Sequence, residues 1–295
     1  MKRYDGTLLL VFLLIVAWLA ISSASVIVVL SGASPEACAF WRLTFSIPFL
    51  FVLGSLSKSG FSGLASFKIQ HLVAGIALSL HFTLWMRSLL MIPIFISTLL
   101  VTLYPLYSFV IEILVFKRRI SMYQLVGLLI STLLLSIYLG VSELVFNIGV
   151  MYALLAGFLV AIYFIAGFHA RYYVGEPLIS YAIKTYLIAS LVTLITALIN
   201  NSRILYLEID KYVFFVLLAL IPMMLGHTLM NYLLSIYPAS IVTSISYGEP
   251  FGAGLLAYIL LGQELSSYHF IFGVLIITSV FITVVLTKRY NRMET

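Results

Sequence analysis

An all-α polytopic membrane protein is the fold class that the sequence predicts. Of the 295 residues, 63% are hydrophobic and 9% are charged, whereas a soluble protein carries roughly 25% charged residues. Apolar runs of about 20 residues, the length that crosses a bilayer as a helix, recur along the chain between short connections. No polar stretch is long enough to form a soluble domain, so nearly the whole chain is expected to lie in the membrane.

Ten transmembrane helices fit these runs. They are expected at residues 7–30, 35–57, 68–90, 93–116, 121–141, 147–169, 177–199, 212–236, 239–261 and 268–287. The first run is longer than the ~7–15-residue apolar core of a secretory signal peptide, and we therefore expect it to be a retained span. Prolines stand at several of the predicted helix starts, where the missing N–H costs no helical hydrogen bond.

Lysine and arginine are distributed unequally between the connections. With the N-terminus inside, the inner connections contain Lys2, Arg3, Lys58, Lys68, Lys117, Arg118, Arg119, Arg171, Lys288, Arg289 and Arg292, and the outer ones contain Arg203 and Lys211. Because basic residues accumulate on the cytoplasmic side, this pattern predicts an even number of spans. Both termini are then cytoplasmic, in a multi-pass protein of the cell membrane.

Composition excludes several other classes of protein. The net charge is +6, but the basic residues are spread between apolar segments, so a lipid bilayer accounts for them and a nucleic-acid partner is not expected. The single cysteine, Cys38, excludes an internal disulfide, and no cysteine–histidine spacing resembles a metal site. No nucleotide-binding Gly-x-x-x-x-Gly-Lys-Ser/Thr loop is present. We therefore expect no cofactor, no metal and no ATP-driven transport within this chain.

The sequence also repeats itself. Pro35 and Arg42 recur as Pro177 and Lys184, and Pro93 and Pro105 recur as Pro238 and Pro250. This predicts two units of five helices, residues 1–142 and 143–295. Because five is odd, the second unit is expected to lie inverted in the membrane, which is the plan of many secondary transporters with a substrate site at the interface of the repeats.

Several motifs, in order, resemble those of one transporter family. Phe40-Trp41-Arg42, the mid-helix pairs Tyr104-Pro105 and Glu249-Pro250, and Leu261-Gly-Gln-Glu-Leu265 are similar to motifs of the EamA-like transporters, in the drug/metabolite transporter superfamily. The family's first-span Trp-Gly is Trp18-Leu19 here, and the glutamate of its closing motif is displaced to Glu264. The resemblance implies a ten-helix transporter that commonly exports amino acids or other small metabolites.

The ninth predicted span carries the most unusual residues. Glu249 lies near its middle, where an ionised group is costly and usually functional, so we expect it to bind a substrate amine or a coupling proton. The alternative is a neutral carboxyl that hydrogen-bonds a neighbouring helix. Pro250 and its repeat mate Pro105 are expected to kink their helices as hinges, and Gly248 and Gly252 form a Gly-x-x-x-Gly pair that permits close helix packing.

Polar and aromatic residues of neighbouring spans are expected to line one central cavity. Tyr104 is the repeat mate of Glu249, and its hydroxyl and ring suit a substrate, although an ordinary packing role is the alternative. His81 and Trp85 are four residues apart on the third span, as are His227 and Asn231 on the eighth. Each pair therefore shares a helix face. A hydrogen-bonded core histidine is the alternative for each imidazole.

Four further residues are candidates for the substrate path. Arg42 and Lys184 lie seven residues inside their predicted helices, roughly 10 Å deep. They are expected either to bind a substrate carboxylate or stabilise a helix end, or to reach the headgroups by snorkelling. Trp18 and Tyr163, in the first and sixth spans, are expected to line the same cavity, and aromatic packing is the alternative for both.

The function predicted from these features is secondary transport of small metabolites by alternating access, with export as the direction that the resemblance implies. The expected partners are a small-molecule substrate, protons and the lipid bilayer, with the protein a monomer or homodimer. The alternatives are a membrane-embedded enzyme and a passive channel. The sequence contains no His-Glu-x-x-His or Gly-x-Ser-x-Gly motif, and an inverted repeat favours a carrier over a channel.

Overall fold

The computed structural model describes residues 6–57, 61–117, 121–140, 147–262, 264 and 267–293. Helix accounts for 83% of the structure, and the described residues contain no strand. Apolar sequence stretches form helices here because, without water, each backbone N–H and C=O must be satisfied within its own segment.

Ten helical segments, α1–α10, follow one another within the described residues. They are α1 Leu8–Ser31, α2 Pro35–Ser55, α3 Ile69–Ser88, α4 Ile94–Phe116, α5 Met122–Gly140, α6 Ile148–Tyr173, α7 Leu178–Ile199, α8 Ile209–Leu233, α9 (Ala239–Thr243, Ser244–Gly248 and Glu249–Leu261) and α10 Ser267–Met293.

Seven of these helices, α1–α4 and α6–α8, are long and apolar enough to cross a membrane. The predicted all-helical membrane class is thereby confirmed. The apolar parts of α5 and α10 are shorter, Met122–Tyr138 and Ile271–Thr283, and α9 changes winding in its middle. The count of ten spans, the inverted repeat and the orientation stay predictions. Of the residues used for orientation, Lys2, Arg3, Lys58, Arg118 and Arg119 lie outside the described residues.

Helices α4 and α9 are interrupted at corresponding places. In α4 the helix breaks after Val101 and begins again at Tyr104, with Pro105 as its second residue. In α9 a 3-10 segment, Ser244–Gly248, precedes a new α-helix that begins at Glu249 and continues with Pro250. Proline is tolerated in a first helical turn because its missing N–H would have no intrahelical acceptor there. Both interruptions therefore come directly before the two prolines.

The bundle is held by contacts between its first and last five helices. Helix α3 packs on α6 and α7, α2 on α7, α1 on α8, α4 on α9 and α5 on α10. Apolar side chains cover the outer surface; Leu8, for example, is 78% exposed and Leu114 is 71% exposed. Such a surface suits lipid and would be unfavourable in water.

Polar contacts join the helices at the predicted outer end of the bundle. Glu36, which is 1% exposed at the start of α2, pairs with Arg87 near the end of α3. The segment before α8 and the first turn of α8 cover the same end. Trp41 Nε1 donates to the carbonyl of Ile204 (2.9 Å), and Lys211 Nζ donates to that of Ser31 (2.9 Å).

A carboxylate joins α4 to α9 at the opposite end. Glu112 Oε1 accepts hydrogen bonds from the backbone N–H groups of Ala239 (2.6 Å) and Ser240 (3.3 Å), and Oε2 accepts one from the Ser240 hydroxyl. These two N–H groups belong to the first turn of α9, where no intrahelical acceptor exists. Glu112 thus caps the helix that carries Glu249.

Candidate functional site

A small, buried central cavity lies where helices of both halves meet. It is lined by Ile21, Ala24, Arg42, His81, Trp85, Val101, Tyr104, Val160, Pro222, His227 and Glu249. Six of the ten predicted substrate-path residues are therefore brought together, from α2, α3, α4, α8 and α9. The cavity volume is about 20 Å³, which is room for about one water molecule. An organic substrate enters only if the helices move apart.

Arg42 is the most unusual lining residue. Its side chain is fully buried, and its guanidinium carbon lies 4.0 Å from the centre of the Phe82 ring. None of its three guanidinium nitrogens has a hydrogen-bond partner among the described residues. A cation–π contact offsets only part of the cost of burying a charge. The geometry places Arg42 in the cavity and not among the headgroups.

Glu249 provides the carboxyl of the cavity. It begins the last part of α9 and is 7% exposed. Among the described side chains, none forms an ion pair with it within 4.0 Å; Arg42 lines the same cavity but lies beyond that distance. The cavity thus holds a guanidinium and a carboxyl that face one space without touching each other.

The two histidines of the cavity differ in their hydrogen bonds. His81 Nδ1 is 2.9 Å from the carbonyl oxygen of Ala156. Because a carbonyl only accepts, Nδ1 carries the proton, and in the neutral ring Nε2 is left as an acceptor. His227 lies 6.2 Å from His81 between ring centroids, and its buried Nδ1 has no partner within the described structure. The predicted convergence of α3 and α8 on one cavity is thus present in the geometry.

Aromatic rings pack against the two histidines and against each other. His81 stacks on Trp85, with centroids 6.1 Å apart and an interplanar angle of 3°. Tyr104 stacks on Phe164 (5.7 Å), and Phe164 in turn stacks on His227 (5.7 Å). The indole N–H of Trp85 is buried and has no acceptor in the part of the chain that is described. It is therefore a free donor at the cavity wall.

Three predicted residues lie just behind the lining. Asn231 Nδ2 donates to the hydroxyl of Tyr163 (2.5 Å), and the Tyr163 ring lies 5.9 Å from that of His227. Trp18 packs over Gly248, where an added Cβ would come within 2.8 Å of its indole nitrogen. At Gly252 an added Cβ would come within 2.3 Å of Ser22 Oγ. The two glycines thus permit the close approach of α1 to α9.

Lys184 lies away from the cavity, although it is the predicted repeat mate of Arg42. Its ammonium donates to the carbonyls of Gly63 and Ser66, each at 3.0 Å, and pairs with Glu176. The carboxylate of Glu176 also accepts from His71 Nε2 at 2.8 Å. The two repeat mates therefore have different partners, since Lys184 is satisfied by a polar network at the end of α7 and Arg42 is not.

Sequence reasoning missed two features of the cavity. Phe82 contacts the Arg42 guanidinium, but one phenylalanine among 21 carries no distinguishing signal. Helix α8 is π-helical over Ala219–Thr228, which contains both Pro222 and His227. Wide turns of this kind often mark functional sites. Pro222, in the middle of an apolar run, is the one signal in the sequence that indicates it.

Comparison with known proteins agrees with this architecture. A solved structure described only as "Crystal structure of protein" has a TM-score of 0.73 and covers 98% of this chain and 99% of its own, at 18% identity. At that identity the likeness shows the fold alone. No curated protein matches the chain. The profile of the EamA-like transporter family, a family of transporters and not of enzymes, matches the second half. The match covers residues 147–285 and agrees with the motifs of the sequence that resemble this family.

Proposed function

We propose that this protein is a secondary transporter of small metabolites such as amino acids, working by alternating access around the central cavity. The observation that carries the proposal is the burial of Arg42 and Glu249, on α2 and α9, in one cavity between the two halves of the chain. Buried charges without partners are expensive in a membrane and mark substrate or ion paths. A chain that only needed to fold would gain stability by replacing Arg42.

Polar contacts join helices at both ends of the bundle, as an occluded carrier requires. The Glu36–Arg87 pair joins α2 to α3 at one end, and Glu112 joins α4 to the start of α9 at the other. Alternating access would break one set of contacts at a time. A passive channel has no need of two closed ends, so these contacts favour a carrier.

The hinges are proposed to be the interruptions of α4 and α9. Each ends directly before a proline, Pro105 or Pro250, and each lies beside a cavity residue, Tyr104 or Glu249. A change in winding at these places would move the outer and inner halves of both helices separately.

The proposal also includes the topology and the direction of transport. The ten helices form two inverted repeats, and both termini are cytoplasmic in the cell membrane. Export is the net direction.

Reconstitution tests the proposed function. Purified protein in proteoliposomes is loaded with each of the common amino acids and a panel of small carboxylates and amines, and exchange of labelled compound is followed. We expect saturable exchange of at least one compound, and equal exchange by Arg203→Gln, a variant of an exposed arginine outside the cavity (56% exposed). Flux that never saturates would indicate a channel. Absence of any exchange by folded protein would contradict the proposal.

A further inference from the structure

Arg42 and Glu249 are the two charged side chains among the residues that line the central cavity. The guanidinium has a fixed positive charge and five N–H donors. The carboxyl is either negative or, with a proton, neutral. Because the cavity is buried, a net charge inside it is unfavourable for the folded protein. The state of Glu249 therefore decides whether the empty cavity is neutral or positive.

The other titratable groups that face Glu249 are Tyr104 from α4, His81 from α3 and His227 from α8. A second positive charge on either imidazole would lie beside the fixed charge of Arg42, which a buried site disfavours. Helices α1 and α6 contribute Ile21, Ala24 and Val160 to the lining, which carry no charge. The net charge of the cavity thus depends on Arg42, on Glu249 and on the ligand that binds between them.

We infer, on the basis of the proposed transport function, that this pair selects substrates by charge balance. A zwitterion places its carboxylate on Arg42 and its ammonium on the Glu249 carboxylate, and is carried without a proton. A monocarboxylate without an amine is carried only together with one proton. That proton comes from the water on the side to which the cavity opens, forms an O–H bond on Glu249, and leaves to the water on the other side.

The proton and the ammonium group therefore compete for one carboxylate. The zwitterion binds when Glu249 is ionised, and the monocarboxylate binds when it is protonated. The apparent affinity of the monocarboxylate relative to the zwitterion then rises about tenfold for each pH unit that the pH falls, because the two complexes differ by one bound proton. The tenfold change of this ratio per pH unit does not depend on where Glu249 itself titrates.

The test is ligand stabilisation of the purified wild-type protein from pH 5.5 to 8. The probes are the common L-amino acids, each with its deaminated acid and its decarboxylated amine, for example L-leucine, 4-methylpentanoate and 3-methylbutylamine. We expect amino acids and acids to bind, with an affinity ratio that changes about tenfold per pH unit. The amines should not bind. A constant ratio, or amines that bind as tightly as amino acids, would overturn the inference.

The variant Glu249→Gln gives a second test, since glutamine is permanently neutral. Its affinity for amino acids should fall at least ~10-fold, while its affinity for the acids should become independent of pH; unchanged amino-acid affinity would contradict the inference. Arg42→Lys, which keeps the positive charge, should retain the pH-dependent ratio. If a variant fails to fold, the wild-type ratio alone decides.

The same panel of ligands distinguishes a failure of this inference from a failure of the proposed transport function. If other metabolites exchange in proteoliposomes and no member of the panel binds, the transporter assignment stands and the charge-balance inference is wrong. If nothing exchanges at all, the proposed function itself is wrong.

Discussion

Arg42→Met is expected to abolish transport and at the same time to make the protein more stable. Truncating one partner of a buried charged hydrogen bond costs about 2–5 kcal/mol of binding, and 2.8 kcal/mol is about 100-fold in affinity. We therefore expect a loss of about 100-fold in ligand stabilisation and in exchange, and of at least ~30-fold. Methionine fills similar space beside Phe82 and carries no charge.

The gain in stability follows from the unpaired state of Arg42. Replacing buried ionic groups with apolar residues of similar volume is often neutral or stabilises by about 1–4 kcal/mol. Thermal unfolding of the variant and of Arg203→Gln, side by side, measures this. An Arg42→Met protein that unfolds at a lower temperature than wild type would mean that Arg42 has a structural role in the closed state.

Glu176→Gln is expected to lower the free energy of unfolding by about 3–5 kcal/mol, because it leaves a buried lysine without its anion. Lys184 is 1% exposed. Burial alone would raise the pKa of Glu176, but hydrogen bonds from His71 and Lys184 lower it from 4.5 to about 2. The carboxylate is therefore ionised and paired in the folded protein at every physiological pH.

The stability that Glu176 contributes is lost in acid. Since the folded pKa of Glu176 is depressed, its contribution is complete above about pH 4.5 and is lost as the pH falls towards 2. Denaturation of the detergent-solubilised protein measures it. Glu208→Gln, at a residue 49% exposed, is the matched control and should change little. Lys184→Met in the Glu176→Gln background should restore much of the stability; failure to do so would contradict the ion-pair account.

The helices and part of the cavity were predictable from the sequence, because membrane physics leaves a strong signal. Every backbone group must be paired within a helix, so apolar runs mark the helices. A charge in such a run is costly and usually faces protein, and both Arg42 and Glu249 do so. The aligned prolines likewise indicated where α4 and α9 are interrupted.

The difference between Arg42 and Lys184 was not predictable, although both lie at the same position of the predicted repeat. Lys184 is satisfied by Glu176 and by the carbonyls of Gly63 and Ser66. These partners come from connections with no helical periodicity, and no spacing in the sequence relates them to Lys184. The π-helical part of α8 packs against α1, and Pro222 is its one signal in the sequence.

Cysteine accessibility tests the central claim, that the cavity opens to each side of the membrane in turn. The chain has one cysteine, so Cys38→Ser gives a background in which Val160→Cys places a single thiol in the cavity lining. Ala161→Cys, at a buried neighbour outside the lining, is the control. A membrane-impermeant maleimide is applied to one side of oriented vesicles at a time. We expect the thiol at position 160 to react from either side, and the control not to react. Reaction from one side only, or equal reaction of both variants, would contradict alternating access through this cavity.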